Sequence, residues 1–536
     1  MKLNYKRTIL VGFAFFLISA FWQIYDVTIA TTLTNKFGMS QTVSGIVMAL
    51  DNVLALFMLP LFGGISDRCK SKSGRRTPFI RTGTILAVVF LMLLAFADNA
   101  QLKKIESYSD MSAPATLERI YDEQKDAVLK TPDGEEYTLA ETYSREEFSA
   151  LGEVLSPEWE EAYKQASGAE KDALTEWKAN AEDEYIKYVV PARLACVSAV
   201  TDSNYTTLIV FIAILLLLLI AMATFRTPAV ALMPDVTVKP LRSKANAVIN
   251  LMGSAGGIIA LLVGIVLSIS NIKNSYMSYT GVFALIGGLM LVALLIFLFT
   301  VKEPLWVSEM QKESARLGLD REEAPAESVG KRRLTKSQKI SLALILASIV
   351  LWFFGYNAIT SKFAVYAQNV LNKDAATALL LAQAAAIVSY IPVGIVASKV
   401  GRKKTILAGV VMLFAAFLAG CFLTSVSPAW MMNAMLCLAG VAWATINVNS
   451  FPMVVEICTG ADVGKYTGFY YTASMAAQSL TPLLSGFFMD KIAMTTLFPY
   501  SAIFVGLAFF TMLFVKHGDS KPVAATGVEA LAGADD

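Results

Sequence analysis

Histidine is almost missing from this chain of 536 residues: the single one, His517, lies beyond the last apolar run. That argues against histidine-ligated metal catalysis and against a Ser-His-Asp hydrolase. Five cysteines, Cys69, Cys196, Cys421, Cys437 and Cys458, show no C-x-x-C spacing, so neither a zinc site nor a disulfide framework is indicated. Charge is scarce as well, at 16% of residues against about 25% in a soluble domain. The net charge of +2 points to no nucleic-acid partner. The sequence holds no Walker loop, dinucleotide fingerprint or metal-ligand cluster, which disfavours ATP-driven pumping by this chain alone. No cofactor is expected, and an enzyme is the least expected class. What abounds is apolar: 55% of residues are hydrophobic and mean hydropathy is +0.55. Such a chain has too little polar surface to cover several soluble units. It reads as a polytopic membrane protein.

A helix crosses the bilayer core with about 20 mostly apolar residues. Twelve runs qualify: 8–34, 43–65, 77–97, 205–233, 246–270, 279–300, 341–369, 376–397, 405–424, 428–455, 465–489 and 496–515. The first is too long for a signal-peptide core and lacks a small-residue cleavage site, so it counts as a span. Basic connectors at Lys2–Arg7, Arg68–Arg81, Lys239–Lys244, Lys302–Lys339, Lys399–Lys404 and Lys516–Lys521 fall on one side if both termini are cytoplasmic. The expected fold is all-α, with twelve transmembrane helices in two six-helix bundles in the cell membrane. Its divisions are a bundle over 1–300, a cytoplasmic linker over 301–340, a second bundle over 341–515 and a cytoplasmic tail over 516–536.

One outer connector is long. Residues 98–203 hold 24 Asp and Glu against 11 Lys and Arg, a net of −13. The stretch Lys130-Thr131-Pro132-Asp133-Gly134 is a turn signal. Ser144 with Glu147 and Ser167 with Glu170 fit capping boxes, and Ser156-Pro157 fits an N-cap followed by proline. A small, mainly helical, outward-facing domain is expected here. Its plainest role is a solvated acidic cap; a rival is a sensor that binds an outside ligand.

The halves echo each other, the mark of an internal repeat. Gly63-Gly64-Ile65-Ser66-Asp67-Arg68 and Gly74-Arg75-Arg76-Thr77-Pro78 follow span two, and Gly394 through Gly401-Arg402-Lys403-Lys404 follow span eight. Gly63 and Gly394 are 331 residues apart, Asp235 and Glu456 are 221 apart, and the difference of 110 is close to the 106 residues of the insert. At these residues the chain resembles the major facilitator superfamily, whose loop signature is G-x-x-x-D-R-x-G-R-R. Here five residues rather than one separate Arg68 from Gly74. The widened form, running on to Phe79-Ile80, resembles the glycoside–pentoside–hexuronide:cation symporters and their sucrose-transporter relatives.

That resemblance implies alternating access and proton-coupled uptake of a sugar or glycoside by a monomer, with Asp67, Arg75 and Arg76 forming a latch in one state. Sodium-coupled members of the branch carry acidic residues before a span-two proline. Aligned on Pro60, those positions here are Leu59 and Ala55, and the acidic position before the span-four proline, Pro234, is Arg226. Sodium is therefore less expected than a proton. An exporter of amphipathic molecules is the alternative, favouring a greasy pocket over amides.

Charged residues inside spans are costly and face a cavity or a partner. Four stand out: Asp26, Asp51, Lys362 and Arg226. By helical rise, Asp26, Asp51 and Lys362 share the outer half, with Arg226 alone nearer the inner end. The expectation is that Lys362 pairs with Asp26 or Asp51, and that one of these carboxylates couples the proton. The plainer alternatives are a satisfied hydrogen bond for Asp26, a wetted helix end for Asp51, snorkelling for Lys362 and a structural bond for Arg226. A sugar site needs hydrogen bonds plus flat aromatic surface. Candidates are Trp22 and Tyr25 in span one, Asn250 in span five, Asn357 in span seven, Gln383 in span eight, Trp443 and Asn447 in span ten, and Tyr471 and Gln478 in span eleven. Amides shun lipid, so each either binds substrate or bonds helix to helix.

Overall fold

Runs that are apolar on every face have no soluble way to fold and form long helices. The computed structural model describes residues 3–238, 241–269, 275–316, 335–455, 457 and 463–518. Glu456, Cys458, residues 317–334 of the linker and the tail from 519 lie outside the described residues, as do the side chains of Asn246 and Lys465. The long helices are α1 (Tyr5–Thr31), α2 (Gln41–Asp67), α3 (Thr77–Lys104), α4 (Thr206–Val236), α5 (Arg242–Val266), α6 (Thr280–Thr300), α7 (Lys336–Asn369), α8 (Ala375–Val400), α9 (Arg402–Gly420), α10 (Ala429–Val455), α11 (Val463–Lys491) and α12 (Leu497–Leu513). Among the described residues, ten are long and apolar enough to cross a membrane; α8 and α11 complete two sets of six. Phe299 and Val266 are each 81% exposed, as suits a surface that meets lipid rather than water.

Local chemistry sets the ends. Asn4 accepts from the Arg7 N–H to start α1, and Ser40 accepts from Val43 to start α2. Thr335 and Gln338 form a full capping box at α7, so that helix begins five residues before the position expected from hydropathy. α1 runs on through a π-helical turn, Thr32–Lys36. We call the face that carries the termini inner and its opposite outer.

Within the first half α1 packs on α5 and α6, α3 on α4 and α6, and α2 on α4; within the second, α7 packs on α11 and α12, and α10 on α8 and α9. Across the halves α2 meets α11, α5 meets α8 and α1 meets α7. The closest approach falls at the outer ends. A side chain at Gly45 would lie 2.0 Å from the Pro482 carbonyl oxygen, and one at Gly486 2.2 Å from that of Gln41.

The insert follows α3, which reaches Lys104 and so takes the first residues assigned to the insert. It is mainly helical, with helices at Pro114–Gln124, Arg145–Ala150, Pro157–Gln165, Gly168–Glu184 and Val190–Ser203, and a hairpin pairing Leu129–Lys130 with Glu136–Tyr137. It has its own core, including Leu117, Ile120, Leu139, Phe148, Val189 and Val197. The Ser144–Glu147 box and the Ser156 cap form as expected. The Ser167–Glu170 box does not: Ser167 makes no cap hydrogen bond. Gly168 follows at φ +57°, which swings the Ser167 hydroxyl away from the first turn. The linker contains a helix, Glu303–Arg316, packed under α4.

Candidate functional site

Two adjoining cavities lie between the halves, midway along the helices. The first, about 200 Å3, is lined by Trp22, Tyr25 and Asp26 of α1, Asp51 and Asn52 of α2, Arg226 of α4, Asn357, Thr360 and Ser361 of α7, and Gln478 of α11. The second, about 250 Å3, is lined by Gln23 and Asp26, Ser254, Tyr356 and Thr360, Gln383 and Tyr390, and Trp443 of α10. Asp26 and Thr360 border both, so the cavities share a wall. A larger cavity of about 290 Å3 lies at the inner face between α1, α4 and the linker helix. It belongs to one half only.

The first cavity is charged. Asp26 and Asp51 lie close enough to interact electrostatically, Arg226 stands near Asp51, and its guanidinium lies 5.5 Å over the Trp22 ring. Two carboxylates therefore share one cation within the lining. The second cavity is aromatic. Tyr356 and Trp443 stack face to face at 3.7 Å and 4°, with Phe353 edge-on to Trp443 at 5.1 Å. Several groups facing this region are buried without a hydrogen-bond partner: Trp22 Nε1, Tyr25 Oη, Asn357 Nδ2 and Gln383 Oε1. Leaving such groups unpaired costs about 1–3 kcal/mol each, a cost that a polar ligand or water in the cavity would remove.

The charge assignment from sequence changes in one respect. Lys362 does not join Asp26 or Asp51; its Nζ donates to the Gln41 carbonyl at 2.7 Å and it is fully buried at the outer end. Arg226 takes the place expected for it. The reason is reach: side chains tilt toward the helix N-terminus, so Arg226 on the descending α4 points outward and its long stem adds to that. Asp490 caps the start of α2, accepting from the N–H groups of Gln41 at 2.7 Å and Thr42 at 2.6 Å. Asn35 donates to Gln368 at 2.8 Å and accepts from Asn369 at 2.7 Å. Among the described residues, the hydrogen bonds that cross between the halves all lie on the outer side, where they close it.

At the inner end of α2 the loop signature forms a network. Arg75 and Arg76 both bind Asp235 of α4, Arg76 also binds Asp67, and Arg76 Nη1 donates to Ser66 Oγ. Burial works against the Arg76 charge, but its bonds to Asp235 and Asp67 outweigh that and raise its pKa. All these partners belong to the first half. Asn250 is buried within that half, outside both cavities. Asn447 accepts from the Tyr470 hydroxyl at 3.5 Å, and Tyr471 packs on Phe451; neither is among the residues lining these two cavities.

Sequence reasoning passed over several groups. Gln23, Asn52 and Thr360 line the cavities beside the named candidates; one turn of helix from Asp26 or Asn357 would have been the signal for Gln23 and Thr360, and adjacency to Asp51 for Asn52. Lys36 and Asp98 form a fully buried pair at 2.7 Å under Tyr279. Glu303 accepts from Arg75, Arg76 and Thr77 at the start of α3. All three sit near run ends, where a charge normally meets water.

Two six-helix halves around a central polar cavity define a membrane carrier rather than an enzyme. A family model described as the Major Facilitator Superfamily matches residues 11–104, 190–450 and 374–532, and the chain belongs to that family. It is a transporter. The sucrose transport protein SUC4 of Arabidopsis thaliana is 31% identical over 76 residues, 14% of this chain and 15% of that protein. The chain thus matches well under two thirds of the length of that relative. The inward-open xylose transporter XylE from E. coli superposes with a TM-score of 0.53 at 13% identity, covering 98% of this chain and 99% of that one. The nucleoside transporter NupG gives 0.51 at 12%, over 95% and 100%. The peptide transporter POT gives 0.55 at 11%, over 95% and 92%. At these identities the likeness is one of fold.

Proposed function

We propose that the chain carries a sugar or glycoside inward together with a proton, acting as a monomer in the cell membrane with both termini cytoplasmic. The observation that carries this is the pairing of the two cavities. One offers stacked aromatic surface from Tyr356 and Trp443, and both are edged by unpartnered donors and acceptors on Trp22, Asn357 and Gln383. A polyhydroxylated ring presents an apolar face and a belt of hydroxyls, and a lining of aromatic rings and amides suits both. The amides and carboxylates also weigh against a purely greasy pocket for amphipathic cargo.

Two carboxylates facing one guanidinium leave the site one positive charge short. A proton on Asp26 or Asp51 supplies it, which links cargo binding to protonation without a metal site. The partial match to SUC4 agrees with a sugar cargo, and the solved neighbours include carriers of other solutes. Binding tests the cargo class: purified protein titrated with labelled mono- and disaccharides should bind at least one, and Asn357→Ala should weaken that binding roughly tenfold. Nucleosides or peptides binding while every sugar fails would replace the sugar reading.

A further inference from the structure

The insert is anchored to one half and bonded to the other. Its root belongs to the first half: Gln101 of α3 donates to Thr201 at 3.1 Å, and Lys104 donates to the Asn204 carbonyl at 3.2 Å. Its far side bonds to two outer connections of the second half, and a third lies beside it. In the connection between α9 and α10, the Ser425 hydroxyl donates to Asp183 at 2.6 Å. Between α7 and α8, Lys373 donates to the Ser425 carbonyl at 2.6 Å and lies in electrostatic range of Glu182. Between α11 and α12, the Thr495 N–H donates to the Pro132 carbonyl at 3.3 Å at the tip of the insert's hairpin.

The hairpin fits without slack. Gly134 holds φ +91°, and a Cβ there would lie 2.5 Å from the Ile492 carbonyl oxygen. An acidic cap that was merely solvated would have no reason to place a charged hydrogen bond and a side-chain-free turn against two loops of the opposite half.

We propose that the insert is an outer clasp. Its root moves with the first half and its grip is on the second, so opening the outer side separates Asp183 from Ser425 and Pro132 from Thr495. The grip adds to the bonds of Lys362, Asp490 and Asn35 and favours the outer-closed state. The inference rests on the chain being a two-half carrier and is independent of what it carries.

The test uses the full-length protein with its five cysteines replaced. In the first arm, Asp183→Cys with Ser425→Cys is oxidised in proteoliposomes. A disulfide should form, and substrate exchange should stop and return on reduction. In the second arm, a reporter cysteine at Ser361 is labelled from outside with a membrane-impermeant thiol reagent. Asp183→Ala should speed that labelling roughly three- to tenfold, a readout that needs no identified cargo. Exchange that continues through a fully formed disulfide, absence of any disulfide, or unchanged labelling in Asp183→Ala would each overturn the clasp. If exchange is missing in the reduced protein for every sugar, the cargo reading fails, and the labelling arm still decides the clasp.

Discussion

Lys362 donates its ammonium to the carbonyl of Gln41 across the boundary between the two halves, at 2.7 Å and wholly out of contact with solvent. Asp490 caps the same helix start from the other side. A buried ammonium is stable only while its partners stay in place, so this cluster exists in the outer-closed state and dissolves when α2 and α11 part. Lys362→Met leaves the Gln41 carbonyl and Asp490 without it. We expect outside labelling of a reporter cysteine at Ser361 to rise about tenfold, with concentrative uptake falling. Labelling no faster than in the parent would remove Lys362 from the gate.

The charge count in the first cavity leads to a second expectation. Asp26→Asn and Asp51→Asn each remove one carboxylate while keeping its shape. The residue that takes up the proton should, when neutralised, retain exchange of cargo at equal concentrations and lose accumulation driven by a proton gradient. Accumulation surviving in both variants would place coupling elsewhere.

Trp443 supplies the flat surface, stacked on Tyr356 and braced by Phe353. Trp443→Ala removes it and should raise the KM for cargo roughly tenfold, whereas Trp443→Phe should keep most of the affinity. Equal losses in both variants would mean the indole contributes something other than a face.

The inner loop network is predicted to matter for stability. Arg76 is buried and shared between Asp235 and Asp67. Arg76→Ala strips both and leaves Asp235 to Arg75 alone, which should cost about 2–3 kcal/mol. Thermal unfolding in detergent reads this, and the double change Arg76→Ala with Asp235→Ala should cost less than the sum of the two.

The insert carries a pH signature. The backbone and hydroxyl of Ser144 hold the Glu147 carboxyl below its ordinary pKa. A depressed folded pKa contributes stability above the unfolded value of about 4.3 and loses it as pH falls through the folded one. Hydrogen exchange over 144–150, corrected for intrinsic rates, should be faster in Glu147→Gln than in the parent at pH 6, with the gap narrowing toward pH 3. A gap that persists unchanged at low pH would show that the carboxylate is not involved.

Most of the helix plan was legible because hydropathy and length act locally: the twelve runs match the helices to within five residues except at the end of α3, which runs seven residues past 97, and the caps at Ser144 and Ser156 were readable from spacing. The caps at Thr335 and Ser167 show the limit. At Thr335 a capping box extended a helix into polar sequence; at Ser167 a left-handed glycine undid a box that the letters allowed. The site was legible in part for a different reason. Amides and carboxylates within apolar runs have few places to go, so Asp26, Asp51, Asn357, Gln383, Trp443 and Gln478 reach the cavities. Asn250 is buried within its own half, and Asn447 and Tyr471 meet Tyr470 and Phe451 within theirs, a choice that periodicity does not encode. Lys36, Asp98, Glu303 and Asp490 were hidden because each stands at a helix end. Only the packing of one end on another buries them.

The most direct test of the account is uptake of labelled mono- and disaccharides into proteoliposomes under an imposed inward proton gradient, with and without a protonophore. The account predicts that at least one sugar accumulates above its outside concentration and that the protonophore abolishes the accumulation. No uptake of any sugar, in vesicles that hold folded protein, would contradict it.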